Sequence, residues 1–201
     1  MSMVGAGEYG PWRPLAIDEV AQLFRATRDA GVSPAVGRSN SSSGAPGAHD
    51  DVDVSVLRQE AKLLYRLLRG WDVHVAAGGQ LTPWDGRELV AVRGETTLWC
   101  RRTPTAPWCL DLTIGDGDAN RWVYRRTPTL TAPWSDAVRV DGAGVPYLAP
   151  ELQLLFESKD VREKDEVDAR RVIPALSQLQ HAWLARALPP AHPWHAFVAS
   201  R

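Results

Sequence analysis

The stretch "DVDVSVLR", Asp51 to Arg58, alternates so strictly that it permits little besides a β-strand. Successive strand side chains point to opposite sides, so Val52, Val54 and Val56 share one face and Asp51, Asp53 and Ser55 the other. The valine face asks for a core. The other face holds two carboxylates at i and i+2. Like charges held that close repel, and a divalent cation between them removes the repulsion. Mg²⁺ suits them, since it takes hard oxygen ligands and keeps positions open for water and phosphate. Asp111, a lone acid in the apolar stretch "WCLDLTI", needs a reason to be there and is the candidate third ligand. The bland alternative is that Asp-x-Asp marks only a solvated strand face.

Around this strand the pattern reads as mixed. "LAIDEVAQLFRATRDAG" has apolar residues at helical spacing and ends at Gly31. Val32 to Gly47 keeps no amphipathic period and reads as irregular. "RQEAKLLYRLLRG" predicts a helix closed by Gly70, and "WDVHVAA" a strand. "GGQLTPWDG" predicts a turn-rich loop. "TTLWCRR" and "PWCLDLTIG" predict a strand pair, with "RWVYRR", "AVRV" and "VPYL" as further short strands. After Pro150 the chain reads as helical. The expected fold class is α+β: a mixed sheet flanked by helices over residues 1–148, followed by a C-terminal helical bundle over 149–201.

Composition narrows the function. The chain has 201 residues, 44% hydrophobic, with a formal net charge of −1, which allows a real core and argues against a broad nucleic-acid or membrane footprint. No stretch approaches ~18 consecutive apolar residues, and the N-terminal residues lack a basic region followed by an apolar run. The two cysteines, Cys100 and Cys109, sit in apolar segments and read as buried thiols of a reducing compartment, so a cytoplasmic protein is expected. Nine tryptophans are many for this length. Most flank Pro or Asp, as at Trp12, Trp84, Trp108, Trp134 and Trp194, and read as packing loops onto the core; one or two are candidate stacking platforms for a base or sugar ring.

Taken together, "HDDVDVSVLR", "WCLDLTI", "RWVYRR" and "VPYLAPELQLLFESKDVREKDEVD" resemble the nucleotidyltransferase superfamily with a DNA polymerase beta-like core. More narrowly they resemble its aminoglycoside 2''-adenylyltransferase-like branch, over roughly Ala48 to Trp194. The resemblance implies that Asp51 and Asp53 bind Mg²⁺ holding a nucleoside triphosphate, ATP or another. It implies that Asp111 completes the metal site or takes the proton from an attacking hydroxyl. The reaction implied is transfer of a nucleoside monophosphate to a hydroxyl of a small molecule, aminoglycoside-like in the branch it resembles, with pyrophosphate leaving. The family often has a His at the place of His49. Lys159 and Arg126, with Arg125 beside it, are candidate phosphate contacts. The alternative for the lysine segment is a solvated helix face with an Asp160–Lys164 pair. His192 and His195 read as packing of the tail. The competing function is a non-catalytic remnant or binding module of the same fold; a relative that modifies protein or tRNA is a third reading.

One interval departs from the family. Before the Asp-x-Asp strand the superfamily places a Gly-Gly or Gly-Ser turn, where small residues let backbone N–H groups approach the triphosphate. Here the interval reads "VSPAVGRSNSSSGAPG", without Gly-Gly. With GC-rich synonymous codons chosen freely, Val32–Gly44 can be back-translated so that a shifted frame gives a Gly-Gly and an apolar helix with an acid. The hypothesis of two compensating frameshifts is checked by reading the codons: if no single set gives a Gly-Gly peptide in another frame, it fails.

Overall fold

The alternating stretch lies near the middle of one mixed sheet. The computed structural model describes residues 10–28, 35–38, 52–87, 96–118, 120–142 and 146–199. In chain order the elements are α1 (Ile17–Arg28), β1 (Ala35–Arg38), β2 (Val52–Leu57), α2 (Ala61–Leu67), β3 (Asp72–Ala77), β4 (Gln80–Pro83), β5 (Thr97–Arg101) and β6 (Leu110–Gly117). Then come β7 (Arg121–Val123), β8 (Thr131–Pro133), α3 (Trp134–Ala137), β9 (Val138–Val140), β10 (Pro146–Leu148), α4 (Pro150–Glu157), α5 (Glu163–Val172), α6 (Gln178–Ala187) and α7 (His195–Ala199).

Among the described residues ten strands join in the order β4-β3-β5-β6-β2-β1-β10-β9, with β7 continuing from β6 and β8 from β7. The β6–β2 and β1–β10 pairs are parallel, and the others antiparallel. With its helices this is an α+β fold, and the last four helices close the chain.

Period-2 alternation explains the first core. Val54 and Val56 of β2, Leu112 and Ile114 of β6, and Leu98 and Cys100 of β5 bury one face, joined by Val20 and Ala21 of α1 and Ala61 and Leu64 of α2. Val54, Leu98 and Leu112 have 0% exposure, so burial contributes about 1.5–3 kcal/mol for each. Gly70, at a positive φ of 89°, follows α2 and lets the chain turn back into β3.

A second core joins Trp122, Tyr124, Ala132 and Leu148 to Leu152, Leu155, Ile173, Leu184 and Val198. The C-terminal helices are therefore seated on the β7–β8 and β10 region of the sheet. Ser177 caps α6 through Gln180 N at 3.4 Å, and the Gln180 side chain answers on Ser177 N at 2.9 Å.

Three local expectations are corrected. "GGQLTPWDG" is more than a loop: Gly78 and Gly79, at φ 57° and 77°, make the two-residue turn of a β3–β4 hairpin. Positive φ at both central residues matches the twist of the flanking strands. Ala35–Arg38, inside the interval expected to be irregular, forms β1. Pairing with β2 and β10 on both sides supplies hydrogen bonds that its own composition does not advertise. Ser39 to Asp51 lie outside the described residues. Ser158–Arg162, inside the stretch expected to be helical, form a turn, since α4 ends at Glu157 and α5 starts at Glu163.

No helix among the described residues is long and apolar enough to cross a membrane.

Candidate functional site

The register of the sheet brings two of the three candidate acids together. On the parallel β2–β6 pair Asp53 lies opposite Asp111, Ser55 opposite Thr113 and Leu57 opposite Gly115. On the antiparallel β5–β6 pair Trp99 lies opposite Asp111. His74 lies opposite Trp99, and Gly37 opposite Asp53. One row, His74–Trp99–Asp111–Asp53–Gly37, thus crosses five strands. Residues directly opposite on neighbouring strands have Cβ atoms ~4.5–5.5 Å apart. Asp111 is half-buried between the buried Leu110 and Leu112 of its own strand, which face the first core. Only the backbone of Asp53 is described, and Asp51 and His49 lie outside the described residues. Among the described residues no group of three His, Cys, Asp or Glu forms a metal cage. The donor chemistry that Asp53 and Asp111 offer, carboxylate oxygen on adjacent strands, fits a hard cation such as Mg²⁺.

One side of the row is aromatic. Trp12 meets Trp99 edge-on with centroids 4.9 Å apart, and Trp108 meets Trp99 at 5.9 Å and His74 at 5.3 Å. The N-terminal segment is tied there by backbone bonds from Arg13 N to Trp108 O at 2.8 Å and from Trp108 N to Pro11 O at 3.0 Å. Asp72 accepts from Arg101 Nε at 2.6 Å and from His74 Nε2 at 3.1 Å. Burial would raise the Asp72 pKa, but those hydrogen bonds outweigh it and hold the carboxyl below its ordinary value. Trp12 and Trp108 therefore pack, as expected, and so do Trp84 and Trp194. Trp84 Nε1 donates to Arg87 O at 3.0 Å, and Trp194 Nε1 to Glu166 Oε1 at 2.9 Å.

A cleft opens on the other side. Ser55 and Thr113, two residues along their strands from Asp53 and Asp111, contribute to its lining with Arg125, Trp122, Trp134 and Phe156. The space between its walls, open solvent at the mouth included, is about 390 Å³. Asp116 also lines it, paired with Arg58 Nε at 3.0 Å. Trp134 Nε1 donates to Asp118 O at 2.8 Å, which fixes the indole. Gly117 makes room for it: a Cβ there would meet Arg121 O at 2.9 Å and Trp134 Cζ2 at 3.1 Å.

The remaining candidates fall elsewhere. Arg126 Nη1 donates to Phe156 O at 3.0 Å and Tyr124 Oη at 3.1 Å, so it clamps the end of α4 to the turn after β7. Lys159 is an exposed residue of the turn between α4 and α5, 3.9 Å from Asp160, rather than a helical residue. Arg162 and Asp165 explain much of the "VREKD" motif as a helix start: Asp165 Oδ2 accepts from Arg162 N at 2.8 Å and Nε at 2.9 Å. His192 Nε2 meets Ser158 O at 2.9 Å, as a packed tail requires. Cys100 and Cys109 are free and buried, and burial pushes both thiols up, which makes them poor nucleophiles. Sequence reading missed the juxtaposition of Trp99 with Asp111, because register between distant strands leaves no local signal.

One acid beside the cleft wall has a pH consequence. Burial first, then Asp168 and Asp165, push Glu157 up to about 7, against the hydrogen bond from Gln153 and the charge of Arg162. An acid raised in the folded state holds its proton more tightly when folded. Its stabilisation is full below its ordinary value of 4.5 and is lost as pH rises through about 7. Glu157→Gln is expected to flatten the fall in Tm across that window and to be more stable at about pH 8 by about 2 kcal/mol. Chemical denaturation at both ends of the window checks this; equal pH profiles would remove Glu157 as the cause.

No family model, curated protein or solved structure matches the chain.

Proposed function

We propose that the chain is a Mg²⁺-dependent nucleotidyltransferase that moves a nucleoside monophosphate, from ATP or another triphosphate, to a hydroxyl of a small molecule of aminoglycoside-like kind. The observation that carries this reading is the direct register pairing of Asp53 with Asp111 on parallel strands, beside a cleft with one guanidinium. Asp51, Asp53 and Asp111 would hold the metal, which neutralises developing charge on the phosphates and aligns the reacting groups. Asp111 would also accept the proton of the attacking hydroxyl, a poor nucleophile until that proton is taken. The hydroxyl oxygen bonds to the α-phosphorus, the bond to the β-phosphate oxygen breaks, and pyrophosphate leaves. Sheet strands, rather than loops, carry Asp53 and Asp111, so their spacing is held by the backbone ladder.

Incubation with α-labelled ATP, Mg²⁺ and a panel of polyhydroxylated amino compounds tests the reading. Label is expected in an acceptor product, with pyrophosphate released in equal amount. No transfer to any acceptor class, small molecule or macromolecule, in a folded protein would favour a non-catalytic member of the fold.

A further inference from the structure

Beside the acid row runs a row of hydroxyls. Two residues along the same strands, Thr97 lies opposite Thr113 and Thr113 opposite Ser55, with Ala76 and Ala35 at the ends. Period 2 puts these side chains on the face of Trp99, Asp111 and Asp53, away from the first core. Thr97 is the most enclosed of the three hydroxyl residues, 2% exposed, and its Oγ1 has no hydrogen-bond partner among the described residues. Buried hydroxyls are nearly always paired, so one without a protein partner is a place where water binds. Across the β5–β6 ladder Thr97 is the diagonal neighbour of Asp111, with ~7–8 Å between their Cα atoms. That is too far for the short threonine side chain to reach a carboxylate directly, and it is the span that one bridging water closes. Thr113, opposite Thr97 and two residues on from Asp111, offers such a water a further hydroxyl.

We infer that Thr97 is a positioning residue for Asp111: its hydroxyl, through one water, fixes the orientation of the carboxylate. The link between the two side chains stands by itself; its use in catalysis rests on the nucleotidyl-transfer reading. Thr96, one residue earlier, is a matched control. It is 4% exposed and its Oγ1 also lacks a partner among the described residues, but alternation puts it on the Leu98 face.

Urea unfolding of Thr97→Val, Asp111→Ala and the double variant measures the link without any activity. The unfolding constant of the double variant is expected to depart from the product of the single effects by roughly fivefold or more. The same cycle with Thr96→Val should stay within about twofold. Thr97→Ala takes the place of Thr97→Val if the latter does not fold. In labelled transfer Thr97→Val is expected to be roughly 10- to 100-fold slower, with Thr97→Ser recovering most of the rate. Independent effects of Thr97 and Asp111, a Thr96 cycle as large as the Thr97 one, or a folded Thr97→Val that transfers at the wild-type rate would overturn the role. Coupling of Thr97 to Asp111 in a chain that transfers nothing would uphold the link and overturn the transfer reading alone.

Discussion

Asp111→Asn is expected to lower labelled nucleotide transfer by roughly 10²- to 10⁴-fold while leaving the chain folded. Asparagine keeps the shape of aspartate and removes its charge and basicity. The site tolerates the swap because Leu110 and Leu112 bury the opposite face of β6 and hold its backbone. The ladder to Asp53 and Trp99 does not use the side chain. Single-turnover transfer measured beside Tm separates chemistry from folding. Full transfer by a folded Asp111→Asn would remove Asp111 from the reaction.

Trp108→Ala is expected to destabilise the fold by about 3–5 kcal/mol, the range for deleting a buried aromatic side chain. Trp108 is 2% exposed and packs against Trp12, Trp99 and His74, with the Arg101 guanidinium 4.1 Å from its ring. Its backbone also ties the N-terminal segment to the sheet. Urea unfolding measures the loss. Leu179→Ala, on a residue 84% exposed, serves as the comparison and should move stability by under about 0.5 kcal/mol. A Trp108→Ala cost below about 1 kcal/mol would show that the aromatic cluster is not what holds this end of the sheet.

Local periodicity announced much of this fold. β2 was legible because valines and polar residues alternate without a break, and β6 because Leu110, Leu112 and Ile114 do the same around Asp111. β1 was not legible, since Ala35–Arg38 is held by two partner strands rather than by an apolar stripe. β8 and α3, three and four residues long, carry too few turns of any period to register. The helix break at Ser158–Arg162 was hidden because polar helix and polar turn share a composition. It shows in Arg162 and Asp165, whose mutual bonds start α5.

The candidate site divides in the same way. Asp53 and Asp111 could be chosen by residue type and strand context. Their adjacency, and that of Trp99, depends on register across strands from three parts of the chain. The cleft was invisible for the same reason, since Ser55, Thr113, Arg125, Trp134 and Phe156 meet only after the second core forms.

The central claim is that Asp53 helps this chain hold a metal–nucleotide complex. Thermal unfolding with ATP and Mg²⁺ tests it most directly. At a hundredfold excess over Kd, ATP with Mg²⁺ is expected to raise Tm by roughly 5–10 °C, by mass action. Chelating the metal should abolish the rise, and Asp53→Ala should lack it. No rise in the wild type, or the same rise in Asp53→Ala, would contradict the account.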